Sequence, residues 1–222
     1  MNTRTIDVTL SRVFGIAIPM TIAYASQPIL GLVDTGVAGR LDDVSILAGL
    51  AIGAVMFDLI WGGFNFLRSS VVGLTAQAFG AGEDEELESV FLRAFLLALV
   101  SGALLIVIGP ALVAAGIWFF NADGALANTI RTYFLIRILS APMALANYVL
   151  LGHFLGLGQS GRTLALQLLL NGTNIVFSIL LGLVFECGIA GIAAATVIGE
   201  SVAMIAGLIL MWLKRSNRPW PS

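Results

Sequence analysis

Apolar residues run through this chain in long blocks broken by single polar or charged positions. The stretches 13–33, 94–122, 138–161 and 163–185 contain no charged side chain, and each exceeds the roughly 18 residues that mark a helix able to cross a bilayer. Two further blocks are interrupted only sparsely: 44–79 holds Asp58 and Arg68, and 187–213 holds Glu200. This pattern predicts an all-α membrane protein. Its six transmembrane helices should lie near 10–38, 44–79, 89–119, 125–157, 162–185 and 188–213, forming a single transmembrane domain over 1–222.

Within these blocks the polar residues recur at helical spacing. On the first helix Met20, Gln27 and Asp34 are seven residues apart, which is two turns, so they share a face. The fourth helix aligns Tyr133, Arg137, Ser140, Ala144 and Asn147, and the fifth aligns Gln167, Asn171, Asn174, Ser178 and Gly182. Thr196 and Glu200 are one turn apart on the sixth. Amides turned to lipid would lose their hydrogen bonds, so these stripes should face the bundle interior. They either glue helices together or line a wet cavity, and four striped helices favour the cavity.

Charges inside the spans are the costliest positions. A carboxylate such as Asp34 costs roughly 2.5–3.5 kcal/mol at mid-membrane and less towards the interface. Counted from the outer helix ends, Asp58, Arg137 and Glu200 lie at similar depth, which predicts a buried ion cluster around Arg137. Asp34 stands nearer its outer end, apart from that set, and is the candidate for an unpaired carboxyl that exchanges a proton. Pro19 and Pro28 interrupt the same helix and free the carbonyls of Gly15 and Tyr24, which neighbouring helices or water must satisfy. Such bends are either fixed kinks that improve packing or hinges that give the helix two shapes.

Composition agrees with the pattern: 59% of residues are hydrophobic and 11% charged, with mean hydropathy +0.99, more apolar surface than a soluble core could hide. Net charge of −2 gives no reason to expect nucleic acid. The single Cys187 cannot form an intrachain disulfide, and no Cys or His cluster has metal-ligand spacing, so no metal site is expected. No cleaved signal peptide is expected, because the first apolar run is long and continues into the Asp34 segment. The run "GQSG" (158–161) formally matches a G-x-S serine-protease pattern, and His153 is the only histidine. Without a base from a separate helix, and without a Walker-type phosphate loop, no catalytic residues are assigned.

Basic residues set the orientation. With a cytoplasmic N-terminus, Arg4, Arg12, Arg93, Arg162, Lys214, Arg215 and Arg218 lie inside, and Arg40 and Arg131 outside. The C-terminus and the acidic run "GEDEELE" (82–88), read as a solvated loop and helix start, are then cytoplasmic as well.

The segments "GLVDTGVAGRL" (31–41), "FLRSSVVGLTAQAFGAG" (66–82), "IRILSAPMALANYVLLG" (136–152), "NGTNIVFS" (171–178) and "GIAGIAAATVIGE" (188–200) resemble the multidrug and toxic compound extrusion (MATE) transporters, in particular their DinF-like branch. That resemblance implies twelve helices in two six-helix lobes, of which this chain corresponds to the N-terminal one. It implies efflux of lipophilic or cationic drugs or metabolites by antiport, with H⁺ the more usual coupling ion and Na⁺ the alternative, and no other cofactor. It matches Asp34 to the essential carboxylate of the first helix, Pro19 to the bend proline and Gln27 to the cavity wall. Asn174 matches the asparagine of an N-x-x-x-D pattern whose Asp is here Ser178, which puts a two-carboxylate cation site in question. Thr196, Tyr133 and Asn147 are further wall positions. The implied partners are a small-molecule substrate, the lipid bilayer and a second six-helix lobe, in a bacterial inner membrane. A second lobe would come from a separate chain or by self-association; the alternative reading is a non-transporting relic or membrane interaction subunit with the same lobe fold.

Overall fold

The computed structural model describes residues 9–41 and 43–216; Arg4, Arg218 and the terminal tail fall outside them. The elements in order are α1 (Leu10–Ala38), α2 (Val44–Ala81), α3 (Asp84–Phe119), α4 (Gly124–Arg137), a 3₁₀ turn (Ile138–Ser140), α5 (Ala141–Gly156), α6 (Ser160–Ile179), a π turn (Leu180–Val184) and α7 (Gly188–Ser216). Since α4, the 3₁₀ turn and α5 run on as one span, the described residues hold six helices long and apolar enough to cross a membrane.

Local chemistry sets where the helices stop. Asp43 caps α2 by accepting from the Ser45 backbone N–H at 2.8 Å. At its other end Gly82 takes a left-handed conformation (φ 75°), and Glu83 N–H reaches back to Ala78 O at 3.0 Å, closing the last carbonyls. Asp84, Glu85 and Glu86 then occupy the first turn of α3, where carboxylates complement the helix dipole. The acidic run is a helix start.

The fourth span is the packing centre. It lies against α2, α3, α6 and α7, and Phe134, Leu145, Val149, Leu150 and Phe154 on it are fully buried. Helices approach closely where one offers a glycine: a Cβ at Gly53 would run into the Tyr133 ring, and one at Gly102 into the Pro142 backbone. By contrast, α1 rests mainly on α6 and touches α2 lightly. Large apolar side chains cover the outside, including Trp118 and Phe119 at one end of α3 and Trp212 near the far end of α7, as expected of aromatic residues at the two bilayer interfaces.

Two features depart from the expected helices. The span predicted as continuous over 125–157 changes to a 3₁₀ turn at Ile138–Ser140, where Ser140 Oγ donates to Arg137 O at 2.8 Å. Pro142, lacking an N–H, sits in the first turn of α5, where such donors are unused. The fifth span ends in a π turn beginning two residues after Ser178.

A polar cavity bounded by five of the six spans

The helices enclose a cavity of about 900 Å³ walled by α1, α2, the fourth span, α6 and α7; α3 contributes nothing to it. Most of the residues expected on the wall reach it, Ser178 excepted. Gln27, Pro28 and Asp34 line it from α1, Tyr133 and Asn147 from the fourth span, Asn171 and Asn174 from α6, and Thr196 from α7. Ser178 is fully buried behind the wall and bonded to Asp34. Met20, placed by spacing on the face of Gln27 and Asp34, is instead packed away in the core, and Pro19 is not on the wall.

Three hydrogen-bond chains organise this wall. In the first, Ser178 Oγ lies 2.7 Å from Asp34 Oδ1 and 3.1 Å from Asn174 Oδ1, while Asn174 Nδ2 donates to Thr196 Oγ1 at 3.0 Å. A hydroxyl has one proton, so Ser178 can donate to only one of its two acceptors. An ionised Asp34 takes that proton. A protonated Asp34 instead donates to Ser178 Oγ, and the Ser178 proton turns to Asn174. In the second chain Gln167 Nε2 donates to Asn171 Oδ1 at 3.2 Å, Asn171 Nδ2 to Ser26 Oγ at 2.7 Å, and Ser26 Oγ to Ala23 O at 2.6 Å. In the third Asn147 Nδ2 donates to Glu200 Oε2 at 2.6 Å and to Glu200 O at 2.9 Å.

The expected ion cluster does not form. Asp58, Arg137 and Glu200 do line the same cavity, and so does Asp34. Yet among the described residues no carboxylate pairs with Arg137 within 4.0 Å; an ion pair is seen instead between Arg93 and Glu86 on the surface of α3. Glu200 is held by a neutral amide, Asp58 is exposed, and Arg137 bonds to the Tyr133 hydroxyl. The Arg137 guanidinium lies 4.4 Å from the Phe57 ring centre and 5.5 Å from that of Tyr133. Stacking on ring faces orients the guanidinium without a carboxylate but leaves in-plane N–H donors unused.

Sequence reasoning missed several wall groups. In the sequence Arg68 is only an interruption of the second span; in the fold its guanidinium sits 5.0 Å over the Tyr24 ring, linking α2 to α1 across the cavity. Ser26, buried behind the wall as the partner of Asn171, gives no signal in the sequence beyond standing next to Gln27. One expectation was specific: Pro19 should leave Gly15 O in need of a donor, and Ser160 Oγ supplies it at 3.0 Å. Ser160 is therefore a helix-to-helix link. His153 lies against the Thr75 hydroxyl and the Phe91 ring instead, so no nucleophile and base meet at "GQSG".

Comparison with known proteins agrees with this architecture. The MatE family matches residues 19–180. The chain is 36% identical over 196 residues to the DNA damage-inducible protein F of Escherichia coli (strain K12), covering 88% of this chain and 43% of that protein. It is 25% identical over 217 residues to the chloroplastic Protein DETOXIFICATION 44 of Arabidopsis thaliana, covering 92% of this chain and 41% of that protein. A crystal structure of MATE in complex with MaD3S shares its fold with a TM-score of 0.85 at 22% identity, covering 95% of this chain and 49% of that one. The chain thus spans less than half the length of these relatives. With a family match over most of its length and six spans folded as in that structure, the chain belongs to the multidrug and toxic compound extrusion family.

Proposed function

We propose that this chain is one lobe of an efflux transporter that exports lipophilic or cationic compounds in exchange for protons, with Asp34 as the proton-coupling group. The observation that carries this reading is the single hydroxyl of Ser178 between Asp34 and Asn174. Protonation of Asp34 reverses the bond between Asp34 and Ser178 and turns the Ser178 proton to Asn174, and Asp34 sits on the one helix that holds both Pro19 and Pro28. A proton arriving from outside would weaken the tie between α1 and α6, change the shape of α1 and expel a ligand held by the ionised form. The coupling ion is H⁺ rather than Na⁺. A proton bound at Asp34 redirects the Ser178 hydroxyl, which gives proton binding a direct structural effect on the contact between α1 and α6.

A second six-helix lobe completes the site. Gln27 and Asp58 line the cavity while remaining exposed, which is costly for an amide and a carboxylate at membrane depth. The protein is placed in a bacterial inner membrane with both termini cytoplasmic. The test is Asp34→Asn in proteoliposomes with a partner lobe supplied. Loss of pH-driven efflux and of the pH dependence of ligand affinity, with insertion intact, is expected. Retained pH-dependent efflux would overturn the assignment of Asp34. Failure of the unmutated chain to bind or move any cationic dye would favour a non-transporting subunit.

A further inference from the structure

Arg137 is an unusual group to leave without a carboxylate. It lies in the interior of the fourth span, at the junction of α4 with the 3₁₀ turn, and lines the cavity. Among the described residues no carboxylate oxygen comes within 4.0 Å of it. Its one hydrogen bond from Nη1 goes to the neutral Tyr133 hydroxyl, and its Nε is buried without a partner. A guanidinium has five N–H donors, so donors on the Nη atoms are left over. The Phe57 and Tyr133 rings hold its plane, and Phe57 is itself fixed by stacking on Phe134 with ring centres 4.8 Å apart. The fork is therefore pre-oriented at the wall of a cavity large enough for a drug-sized molecule. Across the same space lie Asp34 and Asp58.

We propose that Arg137 is an anion subsite, so that the cavity accepts zwitterionic compounds: a carboxylate-class group docks on Arg137 while a cationic group faces the Asp34 and Asp58 side. This rests on the reading of the cavity as a ligand site and specifies its ligand class. A carboxylate entering the cavity gives Arg137 the charge-assisted, fork-shaped partner that the fold withholds. It also offsets the cost of a cation at membrane depth.

The probes are rhodamine B, which carries a free carboxylate and a cationic xanthene, and its ethyl ester, in which that carboxylate is capped as an uncharged ester while the xanthene is unchanged. Fluorescence polarisation with the purified full chain in detergent gives the ratio of the ester Kd to the acid Kd. The expected ratio is about ten for the unmutated chain, falling to about one in Arg137→Gln. An ester that binds as tightly as the acid removes the anion subsite and leaves the cavity as a ligand site. A ratio that persists in Arg137→Gln places the anion elsewhere and also overturns the proposal. If neither dye binds even with a partner lobe supplied, the cavity reading and the subsite fall together. Should Arg137→Gln not elute as a single folded species, Arg137→Lys decides: a ratio lowered but above one supports the fork, and an unchanged ratio refutes it.

Discussion

Replacing Ser160 tests whether the proline at position 19 is tied into the packing of the lobe. Pro19 has no N–H to offer Gly15 O, and Ser160 Oγ from the first turn of α6 donates to that carbonyl at 3.0 Å. Ser160 does not cap its own helix, whose N-cap is Gln159 without a side-chain bond, so its hydroxyl can be removed with little effect on α6 itself. Interhelical hydrogen bonds in membranes average about 0.6 kcal/mol and reach about 1.7, and an unsatisfied buried acceptor costs about 1–3 kcal/mol. Ser160→Ala should therefore cost about 1–2 kcal/mol. In a Pro19→Ala background the new Ala N–H supplies Gly15 O within α1, and the same change should cost less than about 0.5 kcal/mol, leaving a coupling of about 1 kcal/mol. The assay is reversible unfolding in mixed micelles followed by circular dichroism, over the four proteins of the cycle. Equal costs in the two backgrounds would show that Ser160 acts elsewhere, and the proposed role of the proline carbonyl would be wrong.

The remaining expectations concern packing and topology. Gly102→Ala sets a methyl against the Pro142 backbone, which cannot rotate away, and should destabilise by about 1–3 kcal/mol in the same unfolding assay. Gly62→Ala meets open space and should be neutral or gain up to about 1 kcal/mol, so equal losses at the two sites would refute the close approach. For orientation, single cysteines at Glu85 and Asp123, both exposed, in a Cys187→Ser background should react with an impermeant reagent from opposite sides. Gly82 and Gly124 are poor choices for this, because both have positive φ. Same-side labelling would exclude the six-span arrangement.

The spans were legible because charge is so costly in hydrocarbon that its absence over whole helices is itself the signal, and the polar stripes because 3.6-residue spacing puts Asn171, Asn174 and Ser178 on one face. The 3₁₀ turn at Ile138–Ser140 and the π turn after Ile179 were not legible, since neither changes the apolar pattern. Arg137 shows a different limit. Depth along the helix predicts a level shared with Asp58 and Glu200, and all three line one cavity, but whether charges touch depends on rotation and rotamer. The Phe57 ring, one residue before Asp58, stacks on the face of the guanidinium, while no carboxylate among the described residues reaches its N–H edge within 4.0 Å. For Gly15 O the sequence revealed the need for a donor but not its source, because Ser160 lies 145 residues away.

The links between α1 and α6 form a ladder. Gly15 to Ser160, Ser26 to Asn171 and Asp34 to Ser178 are separated by 145, 145 and 144 residues, which is the register of two parallel helices bonded along their length. Pro19 falls between the first and second rungs and Pro28 between the second and third. Only the rung at Asp34 contains a group that changes charge, so protonation should loosen the outer part of α1 while the two lower rungs hold. In the proposed cycle the bend is then confined to the segment beyond Ser26, with Pro28 as its hinge. Spin labels at the lipid-exposed Leu32 and Ile179 should report a pH-dependent distance, and labels at Phe14 and Leu168, also exposed, a constant one. In Asp34→Asn the upper pair should remain at its acid distance at every pH, since the amide N–H can donate to Ser178 Oγ as a protonated carboxyl does. If both pairs move together, α1 shifts as a rigid body and Pro28 is not a hinge. If neither moves between acid and neutral pH, protonation of Asp34 does not reshape the helix and the antiport mechanism fails at its first step.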